Sequence, residues 1–200
     1  SVSAVSASDD GTSAKLHNPR SKEFREALKL QQRGMHNRAS IMFDDLSDKV
    51  WSSDPEGYSV LSDVVMNLES YESRMNDYLK RNPHTALASQ IIFNHAINLF
   101  EAQDYLAAAG ELSQVPASHV YATQLDEYLF KKAYACLENH MLTEAVKGFE
   151  LVQELPMNDY VAPSRYILGY INYETRSFAK ALSWFEKSVE DSRFSEMSSY

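Results

Sequence analysis

Cysteine, glycine and proline are all scarce in this 200-residue chain, which holds one Cys, six Gly and six Pro. A lone Cys136 forms no internal disulfide and offers no metal or redox spacing. It leaves the compartment open, since a reducing cytosol and a disulfide-free periplasmic protein both accommodate it. Sheet proteins with many tight turns need more glycine and proline, so their scarcity favours long helices. Positive charge is short as well: 19 Lys and Arg against 28 Asp and Glu give a formal net charge of −9. Such a surface repels phosphate backbones, and nucleic acid is not an expected partner. The Lys131-Lys132 pair sits among acidic residues and does not alter that balance. No run of about 18 apolar residues occurs, so nothing in this segment is expected to span a membrane.

What is present suffices for a folded core: 44% of the residues are hydrophobic and 24% charged, which is too apolar for a disordered chain. The apolar residues repeat. From Tyr166 to Val189 two helix-periodic stretches flank the polar turn Thr175-Arg176-Ser177. Gly169 lies midway along the first stretch, Ala181 early in the second, and Phe185 one helical turn later. Upstream the same order returns as Ala133, Ala145 and Phe149, and again as Ala96, Ala108 and Leu112. Matched residues recur about 36 positions apart, a spacing typical of helical repeat arrays. Small residues are needed where antiparallel helix backbones approach closely, and large ones fill the adjacent holes.

These residues resemble the tetratricopeptide repeat (TPR) family. Gly169, Phe178, Ala181 and Phe185 match the family motif in one unit; Ala133, Leu142, Ala145, Phe149 and Pro156 match it in another. Ala96, Tyr105, Ala108, Leu112 and Pro116 match it in a third. The first half is more diverged, keeping Ala27, Gly34, Ala39 and Phe43 in one unit. The next unit places Tyr71 where Ala is expected, which predicts wider or shifted packing. Its start is marked by Ser52-Ser53-Asp54-Pro55, with Asp54 as a helix cap and Pro55 at the first helical position. The resemblance implies an all-α fold, a right-handed α–α superhelix of antiparallel helix pairs. It implies one array over residues 22–200, with repeats at 22–50, 54–83, 85–116, 119–157 and 160–191 and the opening of a sixth. A polar arm, residues 1–21, precedes it.

Both ends read as cut, so a longer parent chain is expected. Ser3-Ala4-Val5-Ser6-Ala7 is similar to the small-residue zone at a signal-peptide cleavage site, with a plain polar tail as the alternative. The truncated C-terminal flank is expected to self-associate or to be covered by residues 192–200. The long, tyrosine-rich repeats are similar to envelope TPR proteins of the Bacteroidetes type, and more distantly to TPR lipoproteins of outer-membrane assembly. This implies a periplasmic or exported cell-envelope location, with the cytoplasm as the alternative.

Catalytic patterns are missing. Six histidines, at 17, 36, 84, 95, 119 and 140, form no pair at metal-ligand spacing and are expected at the surface or at helix ends. No Gly-rich phosphate loop or nucleophile elbow occurs. Cys136 falls in an apolar helix stripe with Ala133 and Leu137, as a buried structural cysteine would. The acidic pairs Asp9-Asp10, Asp44-Asp45, Asp126-Glu127 and Glu190-Asp191 fall at turns and helix ends, where they cap helices or meet solvent. No enzyme activity, metal or cofactor is expected.

The aromatic stripe carries the functional expectation. Transferring the family's groove positions gives Phe93, Ile97 and Phe100 in the third unit, Phe130, Tyr134 and Leu137 in the fourth, and Tyr166, Tyr170 and Tyr173 in the fifth. Each set shares one helix face. Two readings stand at this point: the rings fill interfaces between helices, or they line a concave groove that binds a segment of a partner protein or peptide. The carboxylate-gripping TPR domains place Lys and Asn at these positions, so apolar or aromatic recognition is expected instead. The leading expectation is a noncatalytic protein-interaction scaffold. Its rivals are a sensory or regulatory input region of a larger signalling protein, and a carbohydrate-binding envelope lipoprotein with TPR-like support.

Overall fold

The computed structural model describes residues 19–48, 54–156 and 158–197. The cleavage-like segment 3–7 and the Ser52-Ser53 turn lie outside the described residues. Among the described residues every regular element is a helix. Five pairs follow one another along the chain. They are α1 (Pro19–Gln32) with α2 (His36–Ser47), α3 (Asp54–Val65) with α4 (Tyr71–Arg81), and α5 (Ala86–Glu101) with α6 (Tyr105–Gln114). Then come α7 (Leu125–Glu138) with α8 (Leu142–Glu154), and α9 (Val161–Glu174) with α10 (Phe178–Met197). Two short 3-10 turns, Ala117–His119 and Ala122–Gln124, lead into α7. The chain forms two compact units that divide between Ile91 and Ile92, inside α5.

All five pairs turn by one device. Gly34, Asn67, Gln103, His140 and Arg176 adopt left-handed backbone, with φ of 74°, 48°, 63°, 59° and 59°. In each case the next residue's N–H donates to a carbonyl five residues back. The bonds run Met35 to Leu30 (2.9 Å), Leu68 to Asp63 (3.1 Å), Asp104 to Leu99 (2.9 Å), Met141 to Cys136 (2.9 Å) and Ser177 to Asn172 (2.7 Å). This Schellman closure satisfies carbonyls that the helix end would leave orphaned. Only the first of the five turns places glycine at the left-handed residue.

The first unit, up to Ile91, is built on an aromatic trio. Phe24 meets Phe43 and Tyr58 edge-on at 5.7 and 5.8 Å, and Phe43 stacks on Tyr58 at 5.4 Å. Ala27 and Ala39, both 0% exposed, let α1 and α2 approach. In the next pair Tyr71 is buried with Met75 and Tyr78 against Val60 and Val64. The large and small roles are shifted there. The Tyr78 hydroxyl and the Leu87 side chain close over Gly57, where a β-carbon would collide with both. A polar network joins α2, α3 and α4: Arg74 pairs with Asp44 and, at 2.8 Å, with Asp63. Ser40 donates to Asp63 (2.9 Å) and Ser59 donates to Asp44 (2.7 Å).

In the second unit the small residues of the repeat pattern are buried: Ala96, Ala108, Ala133, Ala145 and Ala181 are all 3% exposed or less. Gly169 lies so close to the Phe185 ring that a β-carbon there would sit 2.7 Å from it. Helix α10 runs unbroken from Phe178 to Met197, past residue 191 where the fifth repeat was expected to end. One expectation is corrected. His95 is buried in α5, not placed at the surface or a helix end.

Candidate aromatic interface

The first helices of the second unit's pairs, α5, α7 and α9, carry the predicted aromatic positions, and the structure divides them by exposure. Phe93 is 1% exposed and packs edge-on against Tyr128 at 6.1 Å, in a cluster with Ala96 and Leu112. It belongs to the core, which corrects its assignment to a binding face. Tyr128 comes from the following pair and anchors there by donating to the Val115 carbonyl at 2.9 Å. Ile97 packs partly buried on the same cluster, and Leu137 does so on the cluster around Phe149.

Phe100 and Tyr134 are half-buried and meet at 5.6 Å. Tyr105 completes a ring trio at 5.2 Å from Phe100 and 5.6 Å from Tyr134. Phe130, also half-buried, lies 4.8 Å from the ring of Tyr160, which immediately precedes α9. The aromatic surface thus passes from one helix pair to the next. On α9 the rings emerge: Tyr166, Tyr170 and Tyr173 are 60%, 52% and 55% exposed. Tyr166 rests on Phe185 at 5.6 Å and Tyr173 on Phe178 at 5.7 Å, so each ring is propped from one side.

A charged cluster beside these rings escaped the sequence reading. Lys131 is buried, with its amino group 2.6 Å from Glu101, 3.0 Å from Glu127 and 5.2 Å above the Phe100 ring. Burial works to lower its pKa, but the bonds to Glu101 and Glu127 outweigh this and hold it above the ordinary lysine value. The sequence did contain one hint: Glu127 stands four residues before Lys131, the spacing of a helical ion pair. Burial first, then the nearby Glu138 carboxylate, pushes the pKa of Tyr134 up. Burial likewise raises Tyr160 and the buried thiol of Cys136. A raised thiol pKa lowers the thiolate fraction and hence nucleophilicity.

On another side, an open cleft of about 490 Å³ lies between α8, α9 and α10, lined in part by Val146, Lys147, Asn172, Lys180 and Trp184. Among the described residues no group of three His, Cys, Asp or Glu is arranged to hold a metal ion. No described helix is long and apolar enough to cross a membrane.

No protein-family model and no curated protein matches the sequence. Solved structures do. The MamA RS-1 ArsTM double mutant is similar with a TM-score of 0.65 and 18% identity, covering 90% of this chain and 98% of that one. MamA 41-end from Desulfovibrio magneticus RS-1 gives 0.64 and 16%, covering 88% and 97%. Pseudomonas aeruginosa PilF gives 0.59 and 16%, covering 86% and 75%. At such identities the likeness is one of fold: this chain has the all-α, TPR-like solenoid fold.

Proposed function

We propose that the chain is a noncatalytic scaffold that holds a segment of a partner protein against the first-helix face of its second unit. The observation that carries this reading is the exposure of Tyr166, Tyr170 and Tyr173 at one-turn spacing on α9. Exposed tyrosine presents a large apolar face at low entropic cost and keeps a polar tip, the combination enriched at protein interfaces. Phe130 and Tyr134, half-buried on α7, extend the surface. Residence in a bacterial cell envelope belongs to the same proposal and rests on the resemblance of the tyrosine-rich repeats.

The test is site-specific photocrosslinking in the native host. A photoreactive phenylalanine analogue replaces Tyr170, and in a control it replaces Leu151, which is exposed on α8. The proposal expects a discrete adduct from position 170 that is absent from position 151. It also expects that adduct to vanish when Tyr166 and Tyr173 become Ala with the melting temperature unchanged. Equal labelling from both positions, or loss of the fold in the double variant, overturns it.

A further inference from the structure

The two charge signs are segregated around the tyrosine surface. Glu138 is exposed one helical turn from Tyr134, and exposed Glu174 stands four residues from Tyr170 and next to Tyr173. Several cations of these helix pairs are engaged or placed elsewhere. Lys131 is bracketed by Glu101 and Glu127, and Lys132 sits 5.3 Å over Tyr128. Arg165 donates to Gln153 at 2.7 Å. Lys147 and Lys180 line the cleft at Trp184, and Lys187 lies 4.8 Å over that ring. Arg176 falls in the turn past the end of α9. The lysines and Arg165 are therefore held in other contacts, while Glu138 and Glu174 stand beside the rings.

We infer that the occupant of this face is an extended segment bearing arginine or lysine side chains, its cations seated over the rings of Tyr166, Tyr170 and Tyr173 and against Glu138 and Glu174. This rests on the scaffold reading above and adds the chemistry of the partner. A cation over a tyrosine ring is attracted by the ring's negative face, and a carboxylate at its margin adds to the attraction. The partly exposed rings leave room for such a cation, because Phe185 and Phe178 support Tyr166 and Tyr173 from one side. The net charge of −9 steers a cationic segment inward and repels an acidic one. An apolar segment without charge gains the ring contacts and forgoes the carboxylates.

The experiment uses the 200-residue chain and three fluorescein-labelled dodecapeptides in which leucine alternates with arginine, glutamine or glutamate, read by anisotropy. The arginine peptide is expected to bind about tenfold more tightly than the glutamine peptide, and the glutamate peptide not measurably. The double variant Glu138→Gln, Glu174→Gln is expected to erase most of the arginine advantage while leaving glutamine-peptide binding and the melting temperature unchanged. Lys147→Gln with Lys180→Gln, in the cleft, is expected to change neither. Equal binding of arginine and glutamine peptides, lost together in Tyr166→Ala, Tyr170→Ala, overturns the cationic occupant and leaves the aromatic groove standing. Arginine-peptide binding that survives both the Glu and the Tyr substitutions overturns the inference as nonspecific attraction. Failure of all three peptides to bind overturns both the inference and the groove.

Discussion

Gly148 and Ala133 face each other across the α7–α8 pair at such short range that a β-carbon on residue 148 would lie 2.7 Å from that of Ala133 and 3.3 Å from its Cα. The obstacle includes backbone, which cannot swing aside. Gly148→Ala is therefore expected to destabilise by about 1–3 kcal/mol through overpacking. A methyl group on Gly110 of α6 would meet nothing within 4 Å, so Gly110→Ala is expected to stabilise by about 0.5–1 kcal/mol through helix propensity alone. Chemical denaturation of the two variants checks the contrast; a shift of the same sign in both would show that the α7–α8 approach is looser than these distances require.

The repeated turns give a second test. Gln103 and His140 hold left-handed backbone at φ 63° and 59°, where a β-carbon is strained. Gln103→Gly and His140→Gly are expected to raise stability by up to about 1 kcal/mol each, since glycine enters this region freely. Gly34→Ala, at φ 74°, is expected to lower it by about 1 kcal/mol. Thermal melts that rank the three variants otherwise would contradict the Schellman geometry.

Alkaline pH should weaken the second unit. The pKa values of Cys136, Tyr134 and Tyr160 are all raised by burial, from ordinary values of 9.0, 10.0 and 10.0. The folded state keeps protons that the unfolded chain has already released. Their stabilising contribution is complete below about pH 9 and is lost as pH climbs through the higher folded-state values. Stability measured from pH 8 to 11 is expected to fall, and Cys136→Ala with Tyr160→Phe is expected to flatten the fall. An unchanged slope in that variant would locate the alkaline sensitivity elsewhere.

Two arginines of the first unit separate a bridging ion pair from a surface one. Arg74 joins Asp44 on α2 and Asp63 on α3, and both carboxylates also accept from serines. Arg74→Ala leaves them mutually repelling without their cation, and a loss of about 1–2 kcal/mol is expected after allowance for partial solvent screening. Arg81 holds Glu56 at an exposed site, so Arg81→Ala is expected to cost about 0–1 kcal/mol. Urea titration of both variants at low and high salt checks this: equal losses would remove any special role for the Arg74 network.

The helix pairing was legible because it rests on local demands. Ala133, Ala145 and Gly169 had to be small where backbones meet, and the turn residues had to interrupt two apolar stripes. What the sequence hid was non-local. Phe93 occupies the same repeat position as Phe130 and Tyr166, and periodicity places all three on one helix face. It is the arrival of Tyr128 from the following pair that buries Phe93, and no local pattern reports that arrival. The sequence showed Lys131 only as half of a basic pair among acidic residues; it is Glu101, thirty positions away, that closes on it. The Gly57–Tyr78 contact was missed for the complementary reason: Tyr71 marked the position as irregular, but only packing reveals where the displaced small residue went. The unbroken α10 is explained by what lies between Asp191 and Met197, where neither glycine nor proline interrupts the chain.

The five turns close with one torsion angle and one backbone bond, yet the residues at the left-handed position are Gly, Asn, Gln, His and Arg. The period of this molecule is thus written in the main chain, and five different side chains meet the same turn at a modest cost in strain. Mutation can erase the alphabetic repeat while leaving the mechanical one in place. Hairpins of such a chain are therefore best compared by superposition. Substitutions at the exposed tyrosines of α9 leave those turns untouched.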